Sequence, residues 1–228
     1  KAENNLVFGN PLVEDVYEMG SIIKALTMAA ALDSGAVTSK TTYNDKGTLV
    51  LNGKTISNYD GKGRGVVSMQ EVLNQSLNTG AAFAALKTGT EAFRSYMLAY
   101  GLGEETGIDL PNEVAGLVDN LDSPRELEYA TASFGQGIAM TPIETVRALA
   151  ALGNGGKLVT PHVVTEIEYE SGLTKTLSYP PDRQVLKAET SEEITRMLVE
   201  VTDTALLGGT LKLPNYSIAA KTGTAQIA

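Results

Sequence analysis

The chain has 228 residues, 43% hydrophobic and 20% charged, enough to enclose a core in one large domain or two small ones and too apolar for a disordered chain. A formal net charge of -9 leaves no electrostatic footprint for a nucleic-acid surface. The absence of cysteine and the single histidine, His162, remove thiol chemistry, disulfides and an ordinary zinc site.

No stretch reaches the ~18 uninterrupted apolar residues of a membrane span, and the start, KAENNLVFGN, lacks the charged and apolar regions of a signal peptide. The chain begins without Met and stops at TAQIA directly after an apparent strand, so it reads as a segment of a longer protein. Ser21 opens SIIKALTMAAALDSG, apolar on nearly every face, which predicts a buried helix ending near Gly35. TLVLNGKTIS predicts a hairpin around Asn52-Gly53, and DGKGRG, Asp60 to Gly65, a loop. Ser68 with Glu71 fits a capping box, as do Ser123 with Glu126, Thr141 with Glu144 and Thr190 with Glu193; the middle two carry Pro at the first helical position. NQSLNTG separates the helix that Ser68 caps from a helix that Gly80 begins. VVTEIEYESGLTKTLSY predicts a hairpin around Ser171-Gly172, and YSIAAKTGTAQIA a last strand. Residues from about 20 to 153 thus form a mainly helical lobe with an inserted hairpin, and those from about 157 to 228 contribute to a sheet. The fold class is α+β, a helical lobe packed on an antiparallel sheet, without a linker-like boundary.

KTGT occurs twice. At Lys87 to Thr90 it is helix punctuation: Lys87 closes TGAAFAALK, Gly89 supplies a left-handed end, and Thr90 is the N-cap of EAFRSYMLAYG. At Lys221 to Thr224 no helix boundary needs the glycine, and a glycine within a strand marks close approach of a ligand or another backbone.

Ser21 and Lys24, three residues apart, share a face at a helix start, where free N–H groups favour developing negative charge. The apolar neighbours of Lys24, among them Ile22, Ile23 and Leu26, lower its pKa, so it can activate a serine without histidine. With thirteen serines and twelve lysines, chance alone supplies ~0.7 such S-x-x-K pairs, and a plain structural origin stands beside the catalytic one. Ser76-Leu77-Asn78 likewise reads either as a helix stop with an N-cap or as a second motif. In order, however, S-x-x-K at Ser21, S-x-N at Ser76 and K-T-G at Lys221 make the three-part set of penicillin-binding proteins and class A β-lactamases.

The chain resembles the transpeptidase domain of class B penicillin-binding proteins, the septal and elongation peptidoglycan D,D-transpeptidases. YEMGSIIK is similar to the family's Y-E-P-G-S-x-x-K, with Met19 where Pro is usual; YDGKGRGVVSMQEVLNQSLNTG, GLGEETGIDLPNE, SFGQGIAMTPIETVRALAALGNGGKLVTPHVV and YSIAAKTGTAQ also read as family segments. The match runs from about Asn10 to the C-terminus. Family members continue past K-T-G-T with further strands and a C-terminal helix, so the fold implied is a C-terminally truncated transpeptidase fold.

The resemblance implies a stem peptide ending in D-Ala-D-Ala as substrate and β-lactams as covalent inhibitors. Ser21 would be the nucleophile, Lys24 its base, Ser76 the proton relay and Lys221 its electrostatic tuner. Asn78, Thr222, Gly223 and Thr224 would bind substrate, and the backbone N–H groups of Ser21 and Thr224 would form the oxyanion hole. No metal or organic cofactor is implied. Glycan-polymerising, divisome or elongasome proteins would be partners, nucleic acid would not, and the location would be extracytoplasmic, with membrane contact only through an anchor outside this chain. A serine β-lactamase and a non-catalytic wall-binding or scaffold fragment are the alternatives. GTLVLNGKT misses P-loop spacing, His162 lacks a partner histidine, and Glu104, Glu105 and Asp109 read as solvated loop charges rather than a glycosidase pair.

Overall fold

A computed structural model describes residues 9–224. In chain order the helices are α1 (Pro11–Glu14), α2 (Ile23–Asp33), α3 (Met69–Asn74), α4 (Asn78–Thr88), α5 (Thr90–Ala99), α6 (Glu126–Ala132), α7 (Pro142–Gly153) and α8 (Ala188–Glu200). The strands are β1 (Thr42–Asp45), β2 (Thr48–Leu51), β3 (Lys54–Ser57), β4 (Gly65–Ser68), β5 (Lys157–Leu158), β6 (Glu166–Glu168), β7 (Thr174–Thr176) and β8 (Arg183–Gln184). They pair antiparallel as β1-β4, β2-β3, β5-β8 and β6-β7. Helices and antiparallel ladders therefore make the expected α+β class, with the ladders among the described residues as four separate pairs.

α2 runs through the centre of the core, as its apolar circumference requires. Every residue of it but Leu32 is buried, and α4, α5, α7 and α8 pack around it. Its C-terminus is locked by Asp33, whose carboxylate accepts from Tyr96 Oη (2.8 Å), the Lys187 N–H (2.8 Å) and Thr190 Oγ1 (2.7 Å). The hairpin β2-β3 turns at Asn52 (φ 47°) and Gly53 (φ 75°), the positive pair that a two-residue turn of this hand demands. β6-β7 turns around Gly172 (φ 81°), also as the sequence predicts.

Helix ends obey local chemistry unevenly. Thr141 forms the full capping box with Glu144, and Pro142 starts α7. Ser68 caps α3 by accepting the Glu71 N–H, but the Glu71 carboxylate turns to the amides of Asn74 and Gln75. Ser123 does not cap α6: it accepts the Arg125 N–H and donates to Glu128, a tight local turn that leaves Arg125 as the uncapped start. Thr190 lies inside α8, because the Asp33 carboxylate, 157 residues away, offers its hydroxyl a charged acceptor. α4 begins at Asn78 rather than Gly80. Gly89, at φ 90°, joins α4 to α5 and itself precedes the helix that Thr90 enters; Lys87 is exposed.

Three further expectations change. The lobe holds a second ladder, β1-β4, bracketing the hairpin. Glu104 and Asp109 are anchors rather than solvated charges: Glu104 pairs with buried Arg147 and with Arg183, and Asp109 accepts from the Val163 and Val164 N–H groups and Tyr179 Oη. The last strand makes no ladder among the described residues. Its backbone is tied by Ala220 N–H to Leu198 O (3.3 Å), and residues 225–228 lie outside the described residues.

Candidate active site

Ser21 sits in a 3₁₀ turn, Gly20–Ile22, one step before α2, and that turn is held from two sides. Tyr17 exchanges both backbone hydrogen bonds with Met140, and Gly20 N–H donates to Gly135 O. Gly20 (φ 57°) and Gly135 (φ 80°) lie so close that a Cβ on Gly135 would stand 2.2 Å from Gly20 O, so only glycine fits there. Thr27 Oγ1 donates to Ser133 O at 2.7 Å, fixing the same loop to the next turn of α2.

One turn into the helix, Lys24 is 1% exposed, and its Nζ spends all three donors within the site. It reaches Ser21 Oγ at 3.0 Å, Ser76 O at 2.6 Å and Ser76 Oγ at 3.0 Å. Burial, and next the charge of Lys221, bring its pKa down to about 7. A neutral amine keeps two donors and gains a lone pair. Of its three neighbours the carbonyl cannot supply a proton, so the lone pair must face a serine hydroxyl.

Ser76 is at φ 54°, in the left-handed region unusual for a residue with a side chain, between α3 and α4. That conformation turns both its carbonyl and its hydroxyl to Lys24. Lys221 Nζ meets the same hydroxyl at 2.8 Å and also contacts Thr222 O and Oγ1, each at 3.2 Å. Burial lowers Lys221 to about 8. With an N–H from each lysine on its oxygen, Ser76 has its own hydrogen left to give.

A cleft of about 1230 Å³ lies beside Ser21 and Ser76. Asn78, Thr222 and Thr224 line it. Asn78 Nδ2 is committed to Ser57 O at 2.9 Å, which leaves its carbonyl oxygen as an acceptor. Gly223 crosses the Ile22 side chain: a Cβ there would stand 2.8 Å from Ile22 Cγ1. The glycine is thus what lets the Lys221–Thr224 segment lie against the Ser21 turn. The N–H of Ser21, in the first turn of its helix, and that of Thr224 meet no acceptor among the described residues. The structure thus brings Ser21, Lys24, Ser76 and Lys221 into one bonded group and lines the adjoining cleft with Asn78, Thr222 and Thr224. Glu71, the one carboxylate lining that cleft among the described residues, is held by Asn74 and Gln75 rather than by Ser21. Sequence reasoning missed Asp45 and Asn58, which hold the start of α4 from a distance that no local spacing reveals.

This chain belongs to the family described as penicillin binding protein transpeptidase domain, which it matches over residues 1–228. It is 35% identical over 217 residues to stage V sporulation protein D of Bacillus subtilis, covering 94% of this chain and 33% of that protein. It is 31% identical to the peptidoglycan D,D-transpeptidase MrdA of Acinetobacter baumannii, covering 96% of this chain and 34% of the relative. The chain thus spans about a third of the length of these relatives. Penicillin-binding protein 3 of Mycobacterium tuberculosis superposes with a TM-score of 0.88 at 29% identity over 96% of this chain and 50% of its own. That protein has also been solved with ampicillin and with aztreonam. Class B penicillin-binding proteins, as the resemblance implied, are its relatives.

Proposed function

We propose that this chain carries the acylating site of a serine D,D-transpeptidase that cross-links peptidoglycan stem peptides and is the covalent target of β-lactams. Ser21 Oγ attacks the penultimate carbonyl of a D-Ala-D-Ala end while neutral Lys24 takes its proton. The N–H groups of Ser21 and Thr224 hold the oxyanion. Ser76 passes its proton to the leaving nitrogen and regains one from protonated Lys24, Lys221 tunes that transfer, and terminal D-Ala departs. An amine of a neighbouring stem then attacks the ester carbonyl, and its proton returns through Lys24 to the departing Ser21 oxygen, which frees Ser21. Asn78 accepts a substrate N–H, Thr222 and Thr224 with the charge of Lys221 take the terminal carboxylate, and Gly223 keeps their segment close.

What carries the proposal is one observation: a buried lysine touches both serine hydroxyls, and a second lysine touches the far serine. The whole chain would then be the acylating portion of one domain, acting outside the cytoplasmic membrane in the cell envelope. An anchor elsewhere in the full-length protein would hold it there, beside glycan-polymerising and divisome or elongasome partners. A serine β-lactamase would need a carboxylate positioned to activate water against the ester, and no carboxylate among the described residues bonds Ser21.

The test is intact mass of the full-length protein over time after adding a penicillin, beside Ser21→Ala. A drug-sized increment that persists and needs Ser21 is expected. An adduct in Ser21→Ala overturns the nucleophile; an adduct that clears quickly while drug is consumed makes it a lactamase.

A further inference from the structure

Ser76 can bridge the two lysines only if the segment before α4 is held in a strained conformation, and α4 has no cap of its own to hold it: the residue preceding it is Leu77. The holding comes from Asp45, at the end of β1. Asp45 is 2% exposed, and among the described residues its carboxylate is surrounded by donors rather than by an ion-pair partner; the guanidinium of nearby Arg64 goes to Asp60 and Gln75. Asp45 Oδ1 accepts from the Gly47 N–H (2.9 Å) and Thr79 Oγ1 (2.8 Å), and Oδ2 accepts from the Arg64 N–H (3.0 Å). Asn58 Nδ2 donates to both oxygens, at 3.1 and 3.0 Å.

The consequence for α4 follows from the amide of Asn58. Because its nitrogen must face the carboxylate, its oxygen must face the other way, and there it accepts the Thr79 N–H at 3.2 Å. That N–H is one of the unpaired donors of the first helical turn. Asn58 is therefore a cap supplied from another part of the chain, oriented by Asp45, while the Thr79 hydroxyl is gripped by Asp45 directly. Asn78, between Leu77 and Thr79, is tied to Ser57 O in the same corner.

We infer that Asp45 is a positioning residue for acylation, acting through Asn58 and Thr79 to set the register in which Ser76 meets both lysines. It touches neither substrate nor reacting atoms. The inference rests on the transpeptidase assignment above.

The second-order rate of acylation of the full-length protein by a fluorescent penicillin, measured from about pH 5.5 to about pH 9.5, tests it. Asp45→Asn presents an N–H to donors and reverses the Asn58 amide; Thr79→Val removes only the hydroxyl grip. Both should slow acylation by about tenfold or more, as sub-ångström displacements of reacting groups do. Both should also move the rising limb of the pH profile upward, because Lys24, faced by Ser21, Ser76 and Lys221, loses its Ser76 contacts and gains water. Thr79→Ser should restore the original rate and profile. Asp33→Asn, which breaks a comparably bonded carboxylate at the far end of α2, should lower the melting temperature and leave both readouts unchanged.

Wild-type rate and profile in folded Thr79→Val would overturn this inference alone, as would an equal slowing in Asp33→Asn. Failure of the unsubstituted protein to acylate would overturn the transpeptidase assignment and this with it. If Asp45→Asn does not fold, Thr79→Val decides.

Discussion

Replacing Lys221 by glutamine should change the pH at which Ser21 becomes reactive, not only the rate. In the mechanism proposed above Lys24 must be neutral to accept the Ser21 proton, so acylation should rise with pH through its pKa of about 7 and fall about tenfold per pH unit below it. In the same mechanism Lys221, lowered to about 8, must stay charged to hold a carboxylate, which should give a falling limb above that pH. Both nitrogens contact Ser76 Oγ, so they lie within about 5.8 Å, where two positive charges repel by about 3 kcal/mol at an effective dielectric of ~20 and about 0.7 kcal/mol in water. At about 1.4 kcal/mol per pKa unit, removing the second charge raises Lys24 by about half a unit to about two units. Lys221→Gln should therefore show its rising limb between about pH 7.5 and 9 and no falling limb, the two wild-type limbs being properties of the coupled pair. The assay is the pH dependence of penicillin acylation at constant ionic strength. A rising limb that stays at the wild-type pH would refute the electrostatic coupling, and a flat wild-type profile through neutrality would refute Lys24 as the base.

Gly223→Ala should slow acylation by about tenfold or more, since its methyl would press on Ile22 and lift the 221–224 segment off the Ser21 turn; adding Ile22→Ala should recover much of the rate, and failure to do so would refute that contact. Lys24→Met should abolish acylation yet stabilise the fold. The depressed pKa means that holding the ammonium buried and beside the charge of Lys221 costs about 5 kcal/mol, set against about 1–3 kcal/mol for leaving Ser76 O without its donor. Because the folded-state pKa is the lower one, that cost is fully present below about pH 7 and vanishes above the lysine's ordinary 10.5, so the gain in melting temperature should shrink as pH rises. Burial pushes the Asp33 carboxyl up, but the Lys187 N–H, Thr190, Tyr96 and the Lys187 charge outweigh it and hold it below its usual range. Asp33→Asn should therefore cost stability at neutral pH, and the difference should fade as acid titrates Asp33 through its lowered pKa; a difference unchanged in strong acid would argue against the lock. Thr141→Ala should cost about 1 kcal/mol, or about 2–4 °C in a domain this size, by opening the capping box of α7.

How much of the molecule is legible in the sequence depends on the reach of each interaction. Thr141 caps within one helical turn and is readable; Thr190 has the same spacing, but an acceptor 157 residues away takes its hydroxyl. The two copies of KTGT separate for the same reason. Helix punctuation is local chemistry, so residue types alone mark Lys87 to Thr90 as a junction, and α4 and α5 do meet there.

Residue order was sufficient for the α+β class, the buried α2, the hairpins at Asn52-Gly53 and Ser171-Gly172, and, through three ordered motifs, the family and the residues that meet at the cleft. Tertiary packing was needed to show that Lys24 and Lys221 converge on one hydroxyl, that Ser76 adopts φ 54° to receive them, and that Asp45 and Asn58 hold it there. Residue spacing encodes the contacts of a helical turn or a strand pair. A bond between residues 145 apart, such as Lys221 to Ser76, exists only once the core has packed around α2 and brought them together.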